Sequence, residues 1–222
     1  MKKYIVLALI LAVFTASQVY AETATLYLNT LPTQQAGGYY VGAVGGSIGN
    51  IGGTQANYYC DDFSTPTTVP SHFTVLVSTL SNISGTKFYK TSDSAGSLQK
   101  YEQVGWLMYE MQINPVADTA AIQFAMWSVF TTSTPSYGTK NGTSFTDSAY
   151  WLDASAKINA SSYDFSNMRI YTAKGTINQE FVGGSVTAVP EPAEWMLLII
   201  GLGLITYSVY RNRTKGVVLI RA

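Results

Sequence analysis

The sequence predicts an α+β fold, in which a β-rich sandwich or barrel-like body receives an inserted pair or trio of helices. Three observations predict it. Apolar and polar residues alternate with a period of two early in the body, the period becomes helical in the middle, and short strand patterns return afterwards. No internal repeat of fixed period is present, which argues against a solenoid or a propeller.

The predicted strands are short and lie on both sides of the helical stretch. In residues 23–29, Leu26 and Leu28 alternate with polar residues, which is typical of a half-buried strand. The glycines between Gly37 and Gly53 indicate turns of hairpins. Further strands are predicted at residues 39–41, from 56 or 57 to 63, 73–80, 168–172 and 179–182.

The helical stretch contains three predicted helices. Ser97 is expected to cap the first, which stops before Asn114 and the proline that follows it. Asp118 is expected to cap the second, residues 119–130, where apolar residues cover so much of the surface that we expect burial nearly all round. Asp147 is expected to cap the third. The inward face of this third helix is predicted to consist of Ala149, Leu152 and Ala156.

The amino terminus has the pattern of a secretory signal peptide. Lys2 and Lys3 precede an apolar run from Tyr4 to Phe14, and the small residue Ala21 ends the segment, so residues 1–21 are predicted to be removed on export. The remaining body, residues 22–189, has a length that suits one domain with a core of its own.

The carboxyl terminus contains a second hydrophobic segment, within residues 190–215. Residues 195–210 carry no formal charge, and a helix of such residues satisfies its own backbone hydrogen bonds, so a transmembrane helix is predicted. Basic residues directly after it are expected to stay on the cytoplasmic side. Residues 216–222 form a short tail. The flanking residues are Pro190, Glu191 and Pro192 before the helix and Arg211, Arg213 and Lys215 after it.

This order of proline-flanked acid, apolar helix and basic cluster resembles the PEP-CTERM sorting signal of Gram-negative bacteria. The resemblance implies that an exosortase, a membrane transpeptidase, cuts near Pro190 to Pro192 after export. It also implies that the body passes from the inner membrane to the cell surface or to the exopolysaccharide matrix of a biofilm. An ordinary carboxyl-terminal membrane anchor is the alternative interpretation.

The charge and composition of the body argue against several classes of function. Residues 22–189 hold seven basic and 11 acidic residues, a net charge of −4, and lack the basic run that nucleic-acid binding requires. Because Cys60 and His72 are the only residues of their types, neither an intramolecular disulfide nor a His/Cys zinc cluster is expected. Asp61 and Asp62 are adjacent rather than spaced as in a Ca²⁺ loop. No metal or other cofactor is therefore expected.

Gln123 is the one polar side chain in the centre of the apolar second helix, and a buried amide needs hydrogen-bond partners. The run Ile122-Gln123-Phe124-Ala125-Met126-Trp127, downstream of Tyr59-Cys60-Asp61, resembles the Gln-x-Ala-hydrophobic-Trp motif of thioester (TQXA-type) domains in adhesins of Gram-positive bacteria.

This second resemblance implies that the side chains of Cys60 and Gln123 join and expel ammonia, with Trp127 and Tyr59 as parts of an apolar shield. Such a bond requires two groups held close together and protected from water. The implied partner is exopolysaccharide or a surface amine, and the implied role is covalent adhesion rather than enzymatic turnover. Alternatively, Cys60 is an ordinary buried thiol and Gln123 bridges two backbone groups.

A second function stays open, that of a secreted hydrolase acting on matrix polysaccharide or protein. Glu102 and Glu110 are in phase on the first predicted helix and would be its glycosidase pair. His72 with Cys60 would be a thiol-protease dyad. The interpretation we prefer is a non-enzymatic, exported surface or matrix protein.

Overall fold

The computed structural model describes residues 22–114, 116–138, 147–175, 177–189 and 199–207. The described residues belong to two compact units. One contains the residues up to Ile158 together with Phe165–Val186, and the other contains Asn159–Asp164 and the residues from Thr187 onward. The predicted signal peptide and the sorting-signal residues Pro190, Glu191, Pro192, Arg211 and Arg213 lie outside the described residues.

Along the chain, strands come both before and after the helices, as the sequence predicts. In chain order they are β1 Glu22–Thr30, β2 Gln34–Ala36, β3 Tyr39–Val41, β4 Val44–Ile48, β5 Ala56–Cys60, β6 Ser71–Ser78, β7 Tyr163–Asp164, β8 Arg169–Ala173, β9 Phe181–Gly183 and β10 Thr187–Ala188. The helices are α1 Ser94–Ile113, α2 Thr119–Phe130 and α3 Ser148–Ala156. The α+β prediction is therefore confirmed.

The first unit is built around a closed antiparallel barrel with the strand order β1-β4-β5-β9-β8-β6. Residue pairs such as Leu26↔Ile48 between β1 and β4, and Leu26↔Phe73 between β1 and β6, show how β1 closes the circle. Closure leaves no unpaired sheet edge. Of the two arrangements that the sequence leaves open, a sandwich and a barrel, the structure forms the barrel.

Glycine has two different roles in the stretch that the sequence analysis assigned to turns. Gly37 and Gly38 have φ values of 57° and 85° and form the two-residue turn of the hairpin between β2 and β3. In contrast, Gly46 lies inside β4, where a Cβ atom would come within 2.2 Å of the Tyr27 carbonyl oxygen. The absence of a side chain therefore allows close approach of two strands, and β4 is a barrel strand that the sequence analysis missed.

One of the predicted helix caps is wrong, and a second has the predicted position but makes no capping bond. Asp93, not Ser97, caps α1, since its carboxylate accepts the Gly96 N–H at 3.0 Å and the helix begins earlier than predicted. Asp118 forms no capping bond, because a 3₁₀ turn leads directly into α2 and leaves its backbone already helical at φ −95° and ψ −10°. The Asp147 cap of α3 is confirmed by its bond to the Ala149 N–H at 2.8 Å.

The predicted inward face of α3 is also wrong. Ala149 and Ala156 are exposed and Leu152 is half-buried. The buried residues of α3 are Ser148, Trp151 and Ser155. The Trp151 ring packs 6.0 Å from that of Trp106, because one large aromatic ring buries more apolar area than two alanines.

The barrel interior and one face of α2 share a single hydrophobic core. Leu26 and Leu28 of β1 are fully buried in it, as the alternation predicts, and Phe124 and Trp127 of α2 cover one side. The expectation that α2 is buried nearly all round is confirmed, since nine of its 12 residues are buried. This packing places the middle of α2, including Gln123, against the barrel.

The second unit contains a two-stranded antiparallel sheet of β7 and β10 and a helix at residues 199–207. The apolar side chains of Ile199, Leu202 and Ile205 on this helix are exposed. Within the described residues no helix has the length and hydropathy that a membrane span requires. The predicted span was 195–210, and its remaining residues, 195–198 and 208–210, lie outside the described residues.

Candidate functional site

Cys60 is the last residue of β5, and its side chain faces the barrel interior. It pairs with Phe181 of β9 and belongs to the main hydrophobic core, with 7% of its surface exposed. The predicted strand continued to Phe63, but regular pairing ends at Cys60. The chain turns there, and the Cys60 thiol donates to the Asp62 carbonyl oxygen at 3.2 Å.

Gln123 reaches Cys60 from the middle of α2. Its side chain is 1% exposed. The amide nitrogen Nε2 donates to the Cys60 carbonyl oxygen at 2.7 Å, and the Gly42 N–H donates to the amide oxygen Oε1 at 3.3 Å. The structure therefore brings together the two residues that the sequence analysis paired, although 63 positions separate them in the chain.

The two side chains line one cavity of about 190 Å³, together with Gly42, Val44, Gln179 and several aromatic residues. Three rings form a wall, since the Tyr39 ring lies 5.2 Å from that of Phe63 and 5.9 Å from that of Trp127. Trp127 therefore lines the cavity that contains Cys60 and Gln123. Tyr59 does not line the cavity, and its hydroxyl interacts with Gln112 and Asn57 instead.

The environment of the Cys60 sulfur favours the protonated thiol. Burial raises the pKa of this thiol well above its usual range, and the nearby Asp61 carboxylate raises it further. The Asp62 backbone and the Trp127 indole lower the pKa by smaller amounts, although the indole N–H has no partner within ordinary hydrogen-bond geometry. None of the residues that line the cavity is charged.

Three buried carboxylates lie just outside the cavity, in Asp61, Asp62 and Glu180. Asp62 forms an ion pair with Lys87, and its other oxygen accepts the Ser64 N–H at 3.0 Å. Asp61 has no hydrogen-bond partner on either oxygen, and burial followed by the charge of Glu180 raises its pKa well above the usual value. Within the described residues, no group of His, Cys, Asp and Glu is arranged to hold a metal ion.

The residues considered for a hydrolase are not assembled into a site. Eight positions on a helix separate Glu102 from Glu110 by roughly 12 Å along its axis, more than a glycosidase pair requires. Glu110 instead accepts a bond from Asn114 at 2.7 Å. His72 is exposed and stacks on Tyr27, with ring centroids 5.4 Å apart, whereas Cys60 faces the barrel interior.

Sequence analysis missed three residues of this site, namely Gly42, Tyr39 and Phe63. Gly42 has φ 99°, and a Cβ atom there would lie 2.9 Å from a methyl carbon of Thr119. Its N–H can therefore reach Gln123 only in a backbone conformation that favours glycine. The signal in the sequence was a glycine directly after the predicted strand at residues 39–41, but nothing in it indicated a bond to α2.

No protein-family model matches the chain, and no curated protein sequence matches it. Solved structures that match include the N-terminal domain of the Streptococcus pyogenes pilus tip adhesin Cpa, at 13% identity and a TM-score of 0.40, over 79% of this chain and 97% of that one. Another is the N-terminal thioester domain of the fibronectin-binding protein SfbI from Streptococcus pyogenes, at 10% identity and a TM-score of 0.42, over 80% and 98%. Similarity at this level does not establish a common fold.

Proposed function

We propose that the chain is an exported surface or matrix protein in which Cys60 and Gln123 condense to an internal thioester that captures a nucleophile once, without turnover. One observation carries this proposal. The two side chains line the same uncharged cavity, and the Gln123 amide donates a hydrogen bond to the main-chain carbonyl of Cys60 at 2.7 Å.

The first step of the proposed chemistry is the attack of the Cys60 sulfur on the carboxamide carbon Cδ of Gln123. The Sγ–Cδ bond forms, the Cδ–Nε2 bond breaks, and the thiol proton passes to the nitrogen, which leaves as ammonia. Negative charge develops on Oε1 during the attack. The Gly42 N–H already donates to this oxygen at 3.3 Å and would stabilise that charge.

Close approach of the sulfur and the carboxamide within the shared cavity would compensate for a thiol that is protonated at neutral pH. Reacting groups held in a near-attack geometry gain effective molarities on the order of 10⁵ M or more. The aromatic wall of Tyr39, Phe63 and Trp127 also limits the access of water to the acyl group. Burial thus raises the pKa of the Cys60 thiol and would also protect the product.

In the second step a primary amine attacks the thioester carbonyl. The C–N bond of an amide forms, the C–S bond breaks, and the Cys60 sulfur regains a proton. The cavity, about 190 Å³, is smaller than the ~300–1,000 Å³ of typical ligand pockets, so it would admit one amine-bearing group rather than a whole ligand. An uncharged lining lowers the pKa of an entering amine by desolvation and so favours its nucleophilic form.

Export and sorting are part of the same proposal and are supported by the sequence pattern alone. The predicted signal peptide at residues 1–21 would deliver the chain across the inner membrane. The segment that contains Pro190, Glu191, Pro192, Arg211 and Arg213 would then direct exosortase processing and release to the surface or the exopolysaccharide matrix. In a host without the exosortase, the uncut chain should accumulate in the membrane fraction, which immunoblotting of cell fractions would measure.

The intact mass of the exported chain tests the thioester. Loss of ammonia lowers the mass by about 17 Da relative to a chain with the same ends and unreacted side chains. The loss should be absent from Cys60→Ala and from Gln123→Ala, and present in Gln112→Ala, a matched substitution outside the cavity. A full-mass chain whose thiol reacts freely with an alkylating reagent under native conditions would contradict the proposal.

A further inference from the structure

The main-chain carbonyl of Asp62 connects two polar groups of the cavity. It accepts the Cys60 thiol at 3.2 Å and the Gln179 amide nitrogen at 2.9 Å. Both of these side chains line the cavity, whereas Asp62 itself does not. This one carbonyl therefore orients the Cys60 thiol and the Gln179 amide together.

An ion pair on the far side of the cavity wall fixes Asp62. Its carboxylate is fully buried and binds the Lys87 ammonium and the Ser64 N–H. The ammonium also donates to the Thr65 hydroxyl at 2.5 Å. A buried carboxylate is costly without a charged partner, so Lys87 determines whether the turn after Cys60 keeps this geometry.

Lys87 is itself held by Glu180, the residue before the strand opposite Cys60. Its backbone N–H donates to Glu180 at 2.8 Å, and the same carboxylate accepts the Tyr101 hydroxyl at 2.6 Å. Glu180 directly precedes Phe181, the residue that pairs with Cys60. One segment, around residue 87, thus holds the ends of both β5 and β9.

We propose that Asp62, held by Lys87, is a positioning residue for the Cys60 thiol. The ion pair fixes the carbonyl that orients the thiol, and so sets the place of the sulfur in the cavity that Gln123 also lines. Its effect on the reaction rests on the proposed thioester, whereas its effect on the thiol does not. Neither charged group contacts the reacting atoms, so both act through the main chain.

The rate of ammonia loss in the full chain, followed by intact mass after synthesis, tests the effect on the reaction. Lys87→Gln should slow the loss at least ~10-fold, since displacement of a reacting group by about 1 Å costs on the order of 100-fold in rate. Lys87→Arg should stay within about 3-fold of the natural chain, because a guanidinium also pairs with a carboxylate. A rate in Lys87→Gln equal to that of the natural chain would overturn the proposal.

A double variant keeps the test valid if Lys87→Gln fails to fold. Asp62→Asn combined with Lys87→Gln leaves no unpaired buried charge, so the fold should be regained. Ammonia loss should nevertheless remain slow, because the carbonyl is no longer held. The matched control is Lys157→Gln, which breaks the exposed ion pair of Lys157 with Asp153 and should leave the rate unchanged. Normal ammonia loss in the folded double variant would contradict positioning by the ion pair.

Alkylation of Cys60 separates this inference from the proposed function. In a Gln123→Met chain no thioester can form, so the thiol is available whichever proposal holds. Adding Lys87→Gln to that chain should raise the rate of native alkylation by iodoacetamide about 10-fold, since the thiol is no longer held inward. An unchanged rate would overturn the positioning role. If Lys87→Gln raises the alkylation rate but the natural chain never loses ammonia, the positioning role is retained and only the thioester is refuted.

Discussion

Cys60 and Asp61 are neighbours in the chain, yet they lie in opposite environments. Cys60 faces a cavity lined by aromatic and uncharged side chains. Asp61, on the other face of the strand end, lies near Asp62, Glu180 and Tyr101. Because successive side chains of a strand point to opposite faces, one step along the backbone separates the proposed reactive centre from a buried acidic cluster.

The contrast indicates how a reactive acyl group and strong fixation can coexist in a small barrel. Charges hold geometry well but would attract water and counter-charges into the cavity. In this protein Lys87, Asp62 and Glu180 fix the strand ends from outside the cavity, and the main-chain carbonyl of Asp62 connects them to the sulfur.

The largest effect is expected from opening the neutral side of the strand end, which is the uncharged cavity at Cys60, to water. Trp127→Ala removes a ring that is 4% exposed and part of the core, and truncation of a buried tryptophan costs about 3–5 kcal/mol of unfolding free energy. Water should then reach the acyl group, so that any thioester formed is hydrolysed and the mass rises by about 18 Da. Denaturant unfolding and intact mass measure the two effects.

Tyr40→Ala is the matched control for Trp127→Ala. Tyr40 lines the same cavity, but 47% of its surface is exposed. Its removal should change the unfolding free energy by less than about 1 kcal/mol, as is usual for surface positions. Equal hydrolysis in both variants would mean that the Trp127 ring does not exclude water.

A smaller effect is expected from Gly42→Ala. The substitution meets a strained φ of 99° and a methyl carbon of Thr119 at 2.9 Å, so the Gly42 N–H should move away from Gln123 Oε1. Loss of one oxyanion donor costs on the order of 100-fold in rate, about 2.7 kcal/mol. The measurement is the time course of ammonia loss. Gly38→Ala is the control for strain alone, because it also has positive φ but has no atom within 4 Å of its added Cβ.

The sequence predicts the outline of this fold well because the strongest patterns are local. The limits of α2 are as expected, since 12 residues without glycine or proline form one apolar run. The strand β4 was missed because glycines at positions 45 and 46 resemble a turn, and only the contact of Gly46 with Tyr27 shows why they are needed. Close approach of two backbones leaves no local signature.

The site is predictable only in part for the same reason. Cys60 and Gln123 were paired through a resemblance of short motifs, and no spacing rule predicts contact between residues 63 positions apart. Trp127 is one turn from Gln123 on α2, so its place near the amide follows from helix geometry. The bond of Gly42 to Gln123 and the ion pair of Lys87 with Asp62 depend on tertiary packing, and no local pattern predicts either contact.

The smallest effect is expected on the acidic side, from Asp61→Asn. Burial and the charge of Glu180 raise the pKa of Asp61 well above its usual value, and burial also raises that of Glu180. The carboxyl groups of Asp61 and Glu180 therefore hold their protons more tightly in the folded state than in the unfolded state. The resulting stabilisation is complete below pH ~4, the ordinary carboxyl pKa, and is lost as pH rises through the folded pKa values.

Asp61→Asn removes one titrating group and the repulsion that it exerts on Glu180. Relative to the natural chain, the variant should therefore gain stability with rising pH, by about 1–2 kcal/mol at pH 8, the scale for an unsatisfied buried polar group. Glu180→Gln also removes a group with a raised pKa, so its stability relative to the natural chain should follow the same pH trend. Its stability should nevertheless be lower at every pH, since the Glu180 carboxylate accepts bonds from Tyr101 and from the Lys87 backbone and an amide nitrogen can accept neither. Thermal unfolding between pH 4 and pH 8 measures both. If the two variants shift stability alike at every pH, Asp61 and Glu180 have equivalent roles. The acidic side would then be a cluster of buried charge in which the hydrogen bonds of Glu180 contribute nothing of their own.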